Sequence, residues 1–170
     1  MVTSSTETNS TSAERYTLDT NILIYAVDRS GGAKHRVAIE IVDCSIERSC
    51  ILTVQALAEF VFAVTRKALI PREEAVAQAR DWLTVFPIVA ADGNAPRGRL
   101  QRHKTAAYSA IEQERFGLFD ALLLATAAQA GCTIALSADM HDGARRDCIV
   151  VRNPFADGAL ADDLRPLLGL

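Results

Sequence analysis

Between residues 15 and 155 the chain keeps changing its hydrophobic period. Short runs such as YTL at 16–18, CIL at 50–52 and CIVV at 148–151 are rich in strand formers. Longer stretches between them repeat their apolar residues every three or four positions, as one face of a helix does. Strands that alternate with helices predict an α/β fold: one domain with a parallel central sheet of four to five strands, flanked by helices. In such sheets ligands bind outside the carboxyl ends of the strands. Any polar residue directly after a strand is therefore of interest.

The spacing predicts strands at Tyr16–Leu18, Cys50–Leu52, Pro87–Ala90, Cys132–Leu136 and Cys148–Val151. Helices are expected over Asn21–Val27, about Lys34–Glu47, Val54–Lys67, Arg72–Val85, about Gly98–Glu114 and Phe119–Ala130. Pro71 suits a helix start, Glu73 and Glu74 complement its dipole, and Gly131 suits a helix stop. The helix at 119–130 is apolar on all sides and is expected to be buried. Residues 1–14 are rich in Ser and Thr, too poor in apolar side chains to offset ordering entropy, and read as a flexible tail. Residues 156–170 read as a C-terminal extension.

With 170 residues, 49% of them hydrophobic, the chain has length for one sizeable core. A net charge of −3 offers no global basic field for nucleic acid, although a local patch can serve. Nothing resembles a secretory signal, and no apolar run approaches the length of a membrane span, so a cytoplasmic protein is expected. Cysteines 44, 50, 132 and 148 form no CxxC pair and are expected to be free, small buried residues.

The acidic residues stand in unusual places. Asp19 follows the first strand, Asp120 opens the most apolar helix, and Asp139 and Asp142 follow the fourth strand. Glu59 shares a narrow stripe with Gln55 and Arg66 on an otherwise apolar helix, at 100° per residue. Singly, Asp19 and Asp120 are explained as helix caps, Glu59 as a solvated edge residue, and Asp139 and Asp142 as an acidic loop. Together they are not, because a cap does not require its neighbours to be acids. Clustered carboxylates need a cation or a shared proton. An all-oxygen donor set selects Mg²⁺ or Mn²⁺. Such ions support phosphodiester hydrolysis by activated water. No GxSxG elbow, GxGxxG turn or phosphate-binding loop competes with this reading, and His35, His103 and His141 lack ligand spacing.

Taken in order, LDTNILIYA, LAEFVFAVTRK, FDALLLATAAQAGC, LSADMHDG and VVRNPF resemble the PIN-domain family, and within it the ribonuclease toxins of VapBC-type toxin–antitoxin modules. The resemblance covers about residues 15–155. It implies an endoribonuclease dependent on Mg²⁺ or Mn²⁺, a homodimer, and a cognate antitoxin that blocks the cleft. The family's acids fall on Asp19, Glu59, Asp120 and Asp139, which are the expected metal ligands, with Asp142 as an additional catalytic acid. Its small polar positions fall on Thr20 or Asn21 and on Ser137. Asn21 and Ser137 are accordingly candidate substrate contacts.

For the RNA phosphates the sequence offers Arg145 and Arg146, just beyond Asp142. The run Arg97, Arg99, Arg102, His103 and Lys104 is denser, but charge runs are more often a solvated helix face. Two other functions remain open at this point: a non-catalytic binding module on the same fold, and a metal-dependent DNA nuclease.

Overall fold

The computed structural model describes residues 14–91 and 117–170. The expected tail at 1–14, apart from Glu14, lies outside the described residues. So do the expected helix at 98–114 and the basic run between Arg97 and Lys104.

Six strands form the main sheet: β1 (Tyr16–Leu18), β2 (Cys50–Thr53), β3 (Ile88–Val89), β4 (Ile134–Leu136), β5 (Arg145–Arg146) and β6 (Ile149–Arg152). Their lateral order is β3-β2-β1-β4-β6-β5. All neighbours run parallel except β5, which pairs antiparallel with β6. The sheet thus exceeds the expected four to five strands by one short edge strand. Its two arginines look like a loop in sequence because a two-residue strand has no readable period.

Helices α1 (Thr20–Val27), α2 (Ala33–Ser45), α3 (Val54–Arg66), α4 (Arg72–Val85) and α5 (Leu118–Gln129) are placed close to where periodicity puts them. Local chemistry sets their ends. The Thr53 hydroxyl accepts from the Ala56 N–H at 3.0 Å and caps α3. At the end of α5, the Gly131 N–H bonds Ala128 O at 3.1 Å and the Cys132 N–H bonds Ala127 O at 3.0 Å. That is the paired pattern of a Schellman stop, with Gly131 at φ 81° where a Cβ would be strained.

Every residue of β1 is buried, as the centre of a sheet covered on both faces requires. Tyr16, Leu18, Leu52, Leu136 and Ile149 join Ile22, Ile41, Phe60 and Leu123 in one core. Phe60 and Trp82 fix α3 against α4, their rings edge to face with centroids 4.8 Å apart. The last residues belong to this core too. A hairpin of β7 (Phe155–Ala156) and β8 (Ala159–Leu160) leads to α6 (Arg165–Leu168), and Leu160, Leu164 and Leu168 are buried.

Two expectations need correction. The apolar helix α5 is not buried throughout, since Leu118, Phe119 and Leu122 are exposed. Its inner residues from Leu123 to Ala127 are buried, while the first turn opens onto the cleft described below. Among the cysteines, all free as expected, Cys50 and Cys132 are buried but Cys148 is exposed in the β5–β6 turn.

Candidate active site

From β1 the chain moves outward to β2 and β3, and then returns to place β4 on the other side of β1. The carboxyl ends of β1 and β4 therefore flank the switch point of the sheet, where a crevice opens. The Asp19 N–H bonds Leu136 O at 2.9 Å, continuing the β1–β4 ladder by one residue. This contact fixes Asp19 beside Ser137.

Asp19 is 6% exposed and its carboxylate accepts three hydrogen bonds. Oδ1 takes the Thr20 N–H at 2.7 Å, while Oδ2 takes Asn21 Nδ2 and the Ser137 hydroxyl, each at 2.6 Å. Asp19 is thus a cap of α1 and a site residue at once. Burial raises its pKa to about 6; the bond from Ser137 opposes this, and the nearby Asp120 and Asp139 charges raise it further.

Ser137 is a hub. Besides donating to Asp19, its oxygen accepts from Asn21 Nδ2 at 3.2 Å, the Asp139 N–H at 3.3 Å and the Met140 N–H at 3.2 Å. Asn21 Oδ1 accepts the Ala138 N–H at 3.1 Å. Asn21 and Ser137, expected at the substrate, direct these bonds to the first acid and to the turn after β4.

Glu59 reaches the same place from α3, its Oε2 accepting the Thr20 hydroxyl at 2.9 Å. Asp120 arrives from the first turn of α5, where Oδ2 accepts the Gly117 N–H at 3.3 Å. Burial is the largest cause raising its pKa; the Gly117 bond lowers it, and Asp139 adds a repulsive increment. Asp19, Glu59, Asp120 and Asp139 line one cavity of about 250 Å³, with Asn21, Thr20, Phe62 and Phe119. Gln55 Nε2 donates to Phe119 O at 2.8 Å and ties α3 to the start of α5. Sequence reading put Gln55 on the stripe of Glu59 but assigned it no task, and it did not single out Phe62.

The other three candidates stand elsewhere. Asp142 Oδ1 accepts the Asn153 N–H at 2.8 Å and Arg152 Nε at 3.3 Å, and Asp142 does not line the cavity. Arg145 is exposed on β5. Arg146 pairs in register with Ile149, at the start of β6 and thus at the end of the sheet opposite Asp19. Its side chain is buried, which removes it from phosphates at the cleft.

Among the described residues no three His, Cys, Asp or Glu side chains close around one point as a finished metal cage. A small hard cation needs no such cage. Mg²⁺ keeps several waters and is held by one or two carboxylates with substrate phosphates. Four carboxylates in an open, otherwise uncharged cavity fit that demand, and the all-oxygen set does not suit zinc.

A model of the PIN domain matches residues 16–141. No curated protein sequence matches the chain. Among solved structures, Mycobacterium tuberculosis VapC20, a sarcin–ricin loop cleaving toxin, is 18% identical, with a TM-score of 0.54 over 75% of this chain and 90% of that one. VapBC2 from Rickettsia felis, bound to a DNA fragment from their promoter, is 16% identical, with a TM-score of 0.59 over 81% and 97%. DNA-bound VapBC from Salmonella typhimurium is 12% identical, with a TM-score of 0.56 over 82% and 97%. At these identities the likeness is one of fold.

Proposed function

The chain belongs to the PIN-domain family, and from that premise we propose that it is a divalent-metal-dependent endoribonuclease, the toxin of a toxin–antitoxin pair. The observation that carries this reading is the convergence of Asp19, Glu59, Asp120 and Asp139 on one cavity at the β1–β4 switch point. These acids come from α1's cap, α3, α5 and the turn after β4, so no single local structural need explains them all. An intact acid set favours an enzyme over a non-catalytic binding module. Support for RNA and for an antitoxin comes from the fold neighbours, one a sarcin–ricin loop cleaving toxin and two solved as VapBC assemblies.

In this reading Asp19, Glu59, Asp120 and Asp139 hold a hydrated Mg²⁺ or Mn²⁺. The ion supplies charge stabilisation at the phosphoryl group and acidifies water. Asn21 and Ser137 position Asp19, and Thr20 positions Glu59. The buried Asp19, whose neighbours repel it when ionised, gains most from a cation. A homodimer and an antitoxin side chain of positive charge, offered to the same acids, complete the proposal.

The deciding experiment incubates the purified protein with RNA and with DNA of matched sequence, in Mg²⁺, in Mn²⁺ and in excess chelator. Cleavage of RNA alone, dependent on metal and leaving 5′-phosphate ends, is expected. Cyclic 2′,3′-phosphate ends or full activity in chelator would refute the mechanism, and preferential DNA cleavage would refute the substrate.

A further inference from the structure

The acid cavity does not end at the acids. Phe62, on α3, is 65% exposed and lines it, as does Phe119, which is 59% exposed. Large aromatic rings left in water beside a charged cleft are unusual enough to ask what covers them.

Phe62 is also a wall of an adjoining cavity of about 310 Å³, whose other lining residues include Thr65, Arg66 and Arg72. Phe62 follows Glu59 by three residues and precedes Arg66 by four, so all three are neighbours along one face of α3. The Arg66 guanidinium carbon lies 5.6 Å from the centre of the Phe62 ring. Arg66 and Arg72 are both exposed, and neither makes an ion pair among the described residues. The rise of an α-helix puts Arg66 about 10 Å beyond Glu59 along the axis. Acid, aromatic ring and free guanidinium therefore follow one another in a line.

That order suits one occupant. Phosphates are repelled by the carboxylates unless a cation intervenes, so a nucleic acid must be held partly by its bases there and by cations farther out. Exposed rings stack unpaired bases of any identity, and arginines take the flanking phosphates. Resting on the nuclease reading above, we infer that α3 is the track of the substrate strand. An unpaired base beside the scissile phosphate stacks on Phe62, and two neighbouring phosphates lie on Arg66 and Arg72. A base held in a duplex stack cannot reach Phe62, so the strand is unpaired there.

Binding can be read without cleavage. In a full-length Asp120→Asn background with Mg²⁺, anisotropy of a fluorescent unpaired RNA gives Kd for the added variants. Phe62→Ala should weaken binding by about 5- to 100-fold, the range of one lost base stack, and Phe62→Trp should restore it. The Arg66→Gln, Arg72→Gln pair should reduce the slope of log Kd against log salt by about 1.4, for two phosphate contacts on a single strand. Unchanged Kd in Phe62→Ala, or an unchanged salt slope, overturns the track. So does a fall from dimer to monomer on Phe62→Ala in sedimentation, because Phe62 would then cover a second copy. Absence of cleavage by the wild type, with these binding effects present, would instead refute the nuclease reading and leave the track standing.

Discussion

The Ser137 hydroxyl donates to the Asp19 carboxylate at 2.6 Å, across the two strands where the sheet's order of travel reverses. The residues are 118 apart in sequence, and both are buried. This bond opposes the burial that pushes Asp19 toward neutrality. Ser137→Ala should move the acid limb of the pH–rate profile to higher pH, because Asp19 must ionise with one donor fewer. Leaving Oδ2 with a single donor, and the Asp139 and Met140 N–H groups without their acceptor, should cost about 1–3 kcal/mol of stability. A melt unchanged at pH 8 would show that water replaces the hydroxyl.

Metal-free stability should depend on pH through Asp19. Its pKa is raised from an ordinary 3.8 to about 6, so between those values the folded protein binds more protons than the unfolded chain. The stabilisation is therefore fully present below about pH 4 and is lost as pH rises through about 6. The full loss is on the order of 2–3 kcal/mol, at 1.36 kcal/mol per pH unit. Thermal melts in chelator from pH 4 to 8 measure it, against Asp19→Asn to remove the titration. A wild-type melt that rises through that window would contradict the sign.

Mg²⁺ or Mn²⁺ should raise the melting temperature at pH 8, with a dependence on concentration that follows mass action on the native state. The increase should shrink toward pH 4, where protons compete for the same oxygens. An increase of equal size in Asp19→Asn would place the ion elsewhere.

Asp120→Asn should abolish cleavage while raising the metal-free melt at pH 8. Burial and the Asp139 charge both disfavour the ionised Asp120, and asparagine removes the charge while keeping an acceptor for the Gly117 N–H. Partial exposure to solvent limits the gain. At pH 4 the difference should vanish. A lower melt than wild type at pH 8 would mean that capping outweighs repulsion.

Arg146→Met should stabilise the protein by about 1–2 kcal/mol without changing RNA cleavage. The Arg146 side chain is 6% exposed, its three nitrogens lack hydrogen-bond partners, and burial pulls its pKa down against the opposing charge of Asp147, whose Oδ2 lies 3.9 Å from Nε. A buried charge with no hydrogen bond and a loose ion pair favours an apolar replacement of similar length. Reduced RNA affinity in Arg146→Met would instead restore the phosphate contact that sequence suggests.

Features that depend on a few adjacent residues are legible in the chain alone. Periodicity located α2, α3, α4 and α5, the glycine at 131 stopped a helix, and acids after strands marked the ligand edge of the sheet. The proposed choice of cation rests there too, because donor type is a property of side chains. Which acids meet depends on how the strands are ordered in space. Placing β4 beside β1 brings Ser137 to Asp19, while pairing β5 back on β6 turns Arg146 inward and leaves Asp142 with Arg152. The lateral order of strands is set by crossovers and by packing among residues more than a hundred positions apart, and no local period encodes it. For the same reason Phe119 reads as core in an apolar run, and nothing in the sequence singles out Phe62. Their exposure follows from α3 and α5 leaving a cleft between them, which is a property of the assembled layers.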